Sequence, residues 1–582
     1  MRLTWLLAVL GVVTAVPLFV PHYLPFTDLP EHEAVMSALA HWNDPSMRIA
    51  TTYTLVLGKS QYLLYHVVGA ALTVLLGDAD LANRALLAGV AMAMPFSFRA
   101  LLRAYERPEY LAVFAPMIFW NRALQVGFLP YCASIPLLLF GLALVVRRAK
   151  LGTDARWPRD AGLALLGVVL FYVHVSAYVI FLASAGLLTA RELVLAASAR
   201  GEAQSVRLLV TRGVRTLAWL VPSVMAAVYW WTAGKITVQG ESLSQDGAIG
   251  SMRLTRAIHA FPLWTHDVFK GHGDEWCAAG FWIAFIALLL APVAKSDAAP
   301  AAPSAAPETR AVALVRRVAA PLLPLACVIA LYLSTPYRVG AGSMLNVRLA
   351  PILSLFVIGA LRAPPPSTWI TRGAVALTSL ATLGMSVNAA RVMSTMNRQE
   401  MGDVRAMFAK AAPGKRVAIV NFVTDSPHTH FPPWAHVGAY YRVDRGGLVE
   451  FSFTALHHWP LHYRDEAKPP PSAIKHPFWE FDPCVFRNEE DGAFYDYLFV
   501  RGGDPFKDEP PGPKWRAIAR EKSFTLYERT TERYPAWPFP DEGPCVSYTD
   551  AEKHAADRAD RREAEGETSP DAGAPEAGII ER

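Results

Sequence analysis

Residues 26–37 read FTDLPEHEAVMS and follow closely on an apolar run at residues 3–20. An apolar run of that length is enough to cross a bilayer as a helix. Asp28 followed by Leu29 and Pro30 predicts a helix start, with Asp28 at the N-cap position and Pro30 in the first turn. Asp28 is therefore expected at the mouth of a helix beside the membrane. Two interpretations of its carboxylate stay open at this point, a cap over a solvated first turn and a reactive group.

The composition of the whole chain indicates a membrane protein. The chain has 582 residues, a mean hydropathy of +0.24 and 53% hydrophobic residues, which is high for a soluble chain of this length. Several later apolar runs also approach the ~20 residues of a spanning helix. The formal net charge of +5 is small and spread among loops, so we predict no nucleic-acid partner.

Arginine-rich loops predict the topology. They lie around residues 99–107, 147–159 and 191–215, and the positive-inside rule places them in the cytoplasm. The N-terminus is then cytoplasmic, residues 22–60 form the first outer loop, and the whole chain has about 11 spans.

Within this topology residues 62–77 enter and leave the membrane on one side, and residues 111–120 cross outward. Residues 161–190 form a hairpin with His174 near its outer tip. A cleaved signal peptide is the alternative for the first apolar run, and in both cases the loop after it is exported.

The chain after residue 390 has the composition of a soluble domain. Runs at residues 414–423, 495–502 and 522–530 predict strands, and residues 394–410 predict a helix before the first strand. With residues 1–390 as the membrane domain, we expect residues 391–549 to form a small α/β domain in the periplasm, outside the inner membrane. The Ala/Pro linker at residues 295–310 and the tail at residues 550–582 are expected to be disordered.

Two features of this external domain invite specific chemistry. Cys484 and Cys545 lie in an oxidising setting there, so they form either a disulfide or two free thiols. His428, His430 and His436 have a spacing that can supply three imidazoles to zinc. A Pro-Pro-Trp interruption and the lack of a patterned acidic partner favour the alternative, in which the histidines and nearby aromatics pack or face a sugar.

Four short motifs occur in a characteristic order along the chain. They are TDLPEH at residues 27–32, GKSQYLLYH at 58–66, LANRALLAG at 81–89 and NVRLAP at 346–351. This order resembles the GT-C glycosyltransferases, polytopic enzymes that use lipid-phosphate-linked sugars, such as protein O-mannosyltransferases and aminoarabinose transferases. The resemblance implies a mainly α fold, a GT-C-type transmembrane helix bundle with a small C-terminal α/β extracytoplasmic domain.

The same resemblance implies a catalytic group. Asp28 would take a proton from the acceptor hydroxyl or amine as the anomeric carbon is attacked, and a carboxylate at the membrane edge can have the raised pKa that a general base needs. Glu31 and His32, one turn along, would orient the acceptor or hold a cation. Solvated helix surface is the alternative for both.

Basic residues are implied to bind the carrier phosphate. Lys59, Arg84 and Arg348 would stabilise the leaving polyprenyl phosphate, whereas snorkelling toward lipid head groups is the alternative. His66, Asn121 and Arg122 are also assigned to substrate binding.

Asn121 and Arg122 stand where many relatives carry a second acidic residue. This substitution weakens the case for a divalent cation, and Arg122 could replace one at the phosphate. We therefore predict no cofactor, with a divalent cation as the alternative.

The predicted function is transfer of a sugar from a polyprenyl-phosphate carrier to an envelope glycan, lipid or protein on the outer face of the inner membrane. Two other classes stay open. One is a non-catalytic protein with the same scaffold in polysaccharide transport or assembly, and the other is a membrane-anchored binding domain. Asp28 discriminates among the three, because only the enzyme requires its carboxylate.

Overall fold

The computed structural model describes most of the chain. The described residues are 2–151, 157–199, 206–237, 249–250, 254–292, 315, 319–339, 344–366, 368–455, 459–469, 483, 486, 488, 491–503, 505–506 and 513–530. The Ala/Pro linker, the C-terminal tail and both Cys484 and Cys545 lie outside them.

Helices dominate the first four hundred residues, as predicted. The longer ones are α1 (Arg2–Ala15), α2 (Leu29–Ala40), α3 (Leu63–Leu76), α4 (Ala79–Ala104), α5 (Leu129–Leu151), α6 (Trp157–Val173), α7 (Val175–Ala199), α8 (Val206–Leu217), α9 (Val221–Thr237), α10 (Leu254–His266), α11 (Gly273–Leu290), α12 (Leu322–Ser334), α13 (Ala350–Ala360) and α14 (Trp369–Met396). Helix α2 begins one residue after Asp28, which confirms the predicted helix start.

The protein is a multi-pass membrane protein. Within the described residues, six helical segments are long and apolar enough to cross a bilayer: Arg2–Phe19, Ala79–Ala104, Leu129–Leu151, Val175–Ser198, Gly273–Leu290 and Trp369–Phe408. Three shorter apolar helices accompany them, at Leu63–Leu76, Leu322–Ser334 and Val347–Ala360. The total of about 11 spans stays a prediction.

The chain reverses direction at His174, as the sequence predicted. His174 is the single residue between α6 and α7. Gly167 and Phe181 lie seven positions before and after it, and they pack against each other. Fourteen residues of continuous helix would separate them by about 21 Å, so α6 and α7 form a hairpin.

Two expectations for spans were wrong in detail. Residues 111–120 are not a crossing helix but part of a 3₁₀ turn, Glu109–Phe114, and a short helix, Ala115–Ile118, buried inside the bundle. The last span was predicted at residues 374–389, but its helix does not end there. Helix α14 runs to Met396 and continues through a π turn to Met401, because nothing before Gly402 interrupts it.

A five-stranded sheet follows α14 and the short helices α15 (Val404–Phe408) and α16 (Tyr440–Arg445). Its order is β5-β4-β7-β9-β8, with β4 (Arg416–Asn421), β5 (Leu448–Val449), β7 (Tyr497–Arg501), β8 (Lys514–Glu521) and β9 (Phe524–Thr530). Strand β4 pairs in parallel with β5 and β7, and the rest is antiparallel. The three predicted strands are β4, β7 and β9.

One face of this sheet joins the core of the helical bundle. Val417 and Ile419 of β4 belong to the large core shared with the helices, whereas Ala418 and Val420 face a second, smaller core. The alternation follows from the two-residue period of a strand. The loop that follows α1 is also tied down, because its strand β1 (Tyr53–Leu55) pairs with β6 (Leu461–Tyr463). A separate two-residue ladder pairs β2 (Ile249–Gly250) with β3 (Arg338–Val339). Helix α16, which follows β4 in the chain, packs over α2, where Ser37 Oγ donates to Val443 O at 2.6 Å.

Candidate active site

Asp28 occupies the N-cap position of α2 but does not cap the helix. Its backbone is in the α-region and its side chain accepts no capping hydrogen bond. The backbone is instead fixed by the neighbouring turn, since Asp28 N donates to Val126 O at 3.0 Å and Thr27 N to Gln125 O at 3.1 Å. The capping interpretation is therefore wrong, and the carboxylate is available for other contacts.

The turn beneath Asp28 requires glycine. Gly127 has φ +97°, and a Cβ at that position would lie 2.5 Å from Asp28 N. Only glycine combines this backbone angle with such a close approach. This contact fixes the position of the Asp28 backbone against the buried residues 110–127.

Two cationic or ionisable groups face the Asp28 carboxylate. His436 Nε2 lies 3.6 Å from Asp28 Oδ1, and the Asp28 side chain is only 16% exposed. Burial raises the pKa of Asp28 from 3.8 to about 6, although His436 and then Arg348 lower it in part and Glu31 raises it. A carboxyl group that titrates near neutral pH can exchange a proton with a substrate.

Arg348 lies on the same side of the bundle as Asp28. Its guanidinium sits 4.0 Å above the ring of Phe128, and Nε donates to Met344 O at 3.1 Å. The charge of Arg348 acts on Asp28, Tyr62 and Tyr131. Arg348 therefore places a fixed positive charge beside the carboxylate.

Lys59 ends a 3₁₀ turn, Leu57–Lys59, in the same outer loop. Gly58 beside it packs against Tyr229 of α9. The Lys59 side chain is partly exposed, and its ammonium has no ion pair or hydrogen bond to the residues that the structure describes. It is thus a cation that remains available to a ligand.

Glu31 is neither solvated nor open to an acceptor. It is fully buried, and its carboxylate accepts from Arg442 Nη1 at 3.1 and 3.2 Å, from Ser452 Oγ at 3.1 Å and from Phe453 N at 3.0 Å. Arg442 is 1% exposed. Glu31 anchors α2 to the C-terminal part of the chain, which neither interpretation of the sequence foresaw.

His32 and His66 form a buried pair behind α2. His32 Nδ1 lies 3.0 Å from His66 Nε2, while the outer nitrogens contact Gly127 O at 3.1 Å and Tyr62 O at 2.9 Å. A carbonyl oxygen only accepts, so the nitrogens that contact Gly127 O and Tyr62 O both carry protons. A hydrogen bond between the two rings then requires one further proton, on His32 Nδ1 or His66 Nε2. Burial lowers the pKa of His32, so that proton is weakly held. The pair links α2 to α3, and its ring nitrogens contact each other or backbone carbonyls, so none is left to orient a sugar acceptor.

Arg84 clamps the backbone after α1. Its Nη1 donates to Leu18 O and Pro21 O, at 2.5 and 2.9 Å, its Nη2 to His22 O at 2.7 Å, and its Nε to Asp80 at 2.6 Å. Four of its five N–H groups are used. The guanidinium of Arg84 is therefore largely occupied by acceptors of the protein itself.

An open cleft of about 430 Å³ lies beside this clamp, lined by residues 19–23 with Asp80, Leu81, Arg84 and Arg405. Asp28 does not line it. Its second arginine, Arg405, is paired with Asp444 and Asp78. The cleft offers few free donors and is not the candidate site.

Asn121 and Arg122 also have structural partners. Asn121 caps the short helix Arg122–Val126 by accepting from Leu124 N at 3.1 Å. Arg122 Nη2 pairs with Asp267, and His430 Nε2 contacts the other oxygen of Asp267 at 2.7 Å. Arg122 is thus neutralised by a carboxylate.

The three candidate zinc ligands diverge. His430 pairs with Asp267, His428 Nε2 lies 3.0 Å from Gln399 Oε1, and His436 faces Asp28. The described part of the chain contains no group of three side chains placed to hold a metal ion. One carboxylate facing an arginine is also a poor donor set for a hard cation.

The site that the structure assembles contains Asp28, Arg348 and His436, with Tyr62 beside Arg348 and Lys59 in the same loop. Of the predicted site residues, Glu31, His32, His66, Arg84, Asn121 and Arg122 have their polar groups occupied elsewhere. The sequence predicted for His436 either a zinc ligand or a packing or sugar-facing role, and not a contact with Asp28. Its spacing from Asp28 in sequence gave no signal of their contact.

Comparison with known proteins identifies the fold. No family model and no curated protein sequence matches the chain. The solved structures of ArnT from Cupriavidus metallidurans, bound to undecaprenyl phosphate and in the apo state, each match with a TM-score of 0.50 and 12% identity, over 92% of this chain and 99% of that chain. The arabinofuranosyltransferase AftD from mycobacteria matches with a TM-score of 0.41 and 15% identity, over 91% of this chain and 40% of that one. The predicted resemblance to GT-C glycosyltransferases is confirmed in fold.

Proposed function

We propose that this protein transfers a sugar from a polyprenyl-phosphate carrier to an envelope acceptor. The observation that carries the proposal is Asp28, a largely desolvated carboxylate with a pKa near 6 and a guanidinium beside it, at the head of a helix in a GT-C-type fold. ArnT, which shares the fold, binds undecaprenyl phosphate. Fold alone does not determine function, so the argument rests on the site.

The reaction assigns one role to Asp28. As the acceptor oxygen or nitrogen attacks the anomeric carbon, its proton passes to the Asp28 carboxylate, and the bond from the anomeric carbon to the phosphate oxygen breaks. The electron pair of that bond stays on the polyprenyl phosphate. A base with a pKa near 6 is ionised at neutral pH and still takes up a proton readily.

Arg348 and Lys59 would hold the phosphate. Arg348 offers a fixed charge beside Asp28, and Lys59 offers an ammonium without a protein partner in the described residues. Charge that develops on a leaving phosphate is stabilised most strongly by donors that are already in place. Arg84, which the sequence favoured for this role, is better explained as a backbone clamp.

The proposed setting is the inner membrane, with the N-terminus in the cytoplasm and the sheet on the periplasmic side. The arginine-rich loops support this orientation. Sugar, acceptor and carrier would then meet at the outer leaflet, where α2 begins.

The test is complementation of a strain that lacks the gene. Asp28→Asn should abolish the envelope glycan product and cause the polyprenyl-linked sugar to accumulate in lipid extracts. Asp44→Asn is the matched control, because Asp44 lies in the same loop and bonds Ser46. Full glycan restoration by Asp28→Asn would refute the proposal.

A binding measurement separates carrier recognition from chemistry. Purified protein in detergent is titrated with undecaprenyl phosphate and bound lipid is counted by native mass spectrometry. Lys59→Gln and Arg348→Gln should weaken binding, while Asp28→Asn should leave it intact. Unchanged binding in both cationic variants would remove them from the site.

A further inference from the structure

The contact between His436 and Asp28 joins the two halves of the chain. His436 belongs to the segment that follows β4, whereas Asp28 lies in the first outer loop. His436 is 3% exposed, so its ring has left water almost completely. A buried imidazole with a ring nitrogen that faces a carboxylate calls for a functional explanation.

Aromatic packing fixes the orientation of the His436 ring. Phe451 stacks on it with centroids 4.6 Å apart and an interplanar angle of 15°, and Phe453 meets it edge-on at 5.2 Å. These contacts direct Nε2 toward Asp28 Oδ1, at 3.6 Å. A slight approach would bring the two atoms into hydrogen-bond range.

A second contact sets the register between the same two elements. Glu31, one helical turn after Asp28, is held by Arg442 and Ser452. Residues i and i+3 lie on one face of a helix. The face of α2 that carries Asp28 is therefore pinned to the segment that carries His436.

We propose that the C-terminal domain completes the active site, with His436 as the positioning residue that orients Asp28 and favours its ionised form. This inference rests on the proposed function of Asp28. When the two atoms close from 3.6 Å to hydrogen-bond range, neutral His436 donates from Nε2–H to Oδ1, which leaves Oδ2 for the acceptor. Burial lowers the pKa of His436, and Asp28 and Glu31 on the α2 side raise it in part. Two further charged or titratable groups lie on that side, His32, which interacts with His436, and Arg348, whose charge acts on Asp28.

Infrared titration of the purified full chain tests the proposal without any substrate. The carboxyl C=O band of Asp28 is assigned by its loss in Asp28→Asn. Replacing His436 by leucine should raise the midpoint of that band by roughly one pH unit, because a donor to the carboxylate is lost. His436→Gln, which keeps an N–H donor, should raise it less.

His428→Leu is the matched control, since His428 lies in the same segment and contacts Gln399 instead. Melting temperatures of all variants separate misfolding from a local effect. A midpoint that does not move in a folded His436→Leu protein would overturn the inference.

Complementation distinguishes the two failures. If Asp28→Asn is inactive and His436→Leu restores wild-type glycan, this inference fails while the proposed function stands. If Asp28→Asn itself restores the glycan, the proposed function fails. The expected result is a strong loss with His436→Leu, partial activity with His436→Gln and full activity with His428→Leu.

Discussion

Breaking the ion pair between Glu31 and Arg442 should destabilise the protein strongly. Arg442→Met removes the cation and leaves a carboxylate that is 0% exposed with two remaining donors, Ser452 Oγ and Phe453 N. Removing one partner of a buried pair typically costs about 3–5 kcal/mol, because the other charge stays buried without compensation. The loss should fall on the attachment of the C-terminal domain to α2.

The assay is thermal unfolding of the purified protein in detergent, combined with limited proteolysis. Arg516→Met is the matched control, since Arg516 and Glu528 form an exposed pair between β8 and β9, with side chains 48% and 36% exposed. Exposed pairs contribute about 0–1 kcal/mol. Adding Glu31→Gln to Arg442→Met should recover part of the lost stability.

Two results would refute this reasoning. If Arg442→Met melts like the exposed control, the pair does not hold the two parts together. If the double variant is less stable than Arg442→Met alone, the uncompensated charge was not the source of the loss.

Three further predictions follow from individual contacts. The carboxylate of Asp28 must be ionised to act as a base, so activity should rise as pH increases through about 6; a rate independent of pH from 5 to 7 would contradict this. The stability that the raised pKa contributes is fully present below about 3.8 and should be lost as pH rises from there to about 6. Gly127→Ala should lower both stability, by about 1 kcal/mol or more, and activity, since its Cβ would meet Asp28 N at 2.5 Å at φ +97°; Gly89→Ala, in open space on α4, is the control. Arg84→Lys should lower the melting temperature nearly as much as Arg84→Ala, because an ammonium cannot reach four acceptors, while binding of undecaprenyl phosphate stays unchanged; weaker lipid binding without a change in melting would contradict the clamp.

Local chemistry made much of the fold predictable. Asp-Leu-Pro marked the start of α2, β-branched runs marked β4, β7 and β9, and the break at His174 marked a reversal of the chain. Each of these signals acts over a few residues. The prediction for residues 111–120 failed for another reason. These residues have the apolar composition of a membrane span, but they are buried inside the helical bundle. Hydropathy does not distinguish burial in lipid from burial in protein.

The candidate site was predictable only in part. Asp28, Lys59 and Arg348 could be proposed from motif order, and the structure leaves them able to act. Arg84 and Arg122 have the same chemistry, but the carbonyls after α1 and the carboxylate of Asp267 occupy them. Those partners lie far away in sequence, so no local pattern could separate a clamp from a ligand-binding arginine.

Asp28 and Glu31 show how one short motif divides its tasks. Both lie on the face of α2 that meets the C-terminal domain, and both meet side chains that follow β4. Glu31 is sealed from water with Arg442, so its charge contributes to attachment. Asp28 keeps some exposure, with His436 Nε2 at 3.6 Å and the charge of Arg348 beside it, so its carboxylate remains chemically accessible. The same docking surface therefore fixes the domain through one carboxylate and positions the other for reaction, and any change that loosens the anchor should also disturb the base.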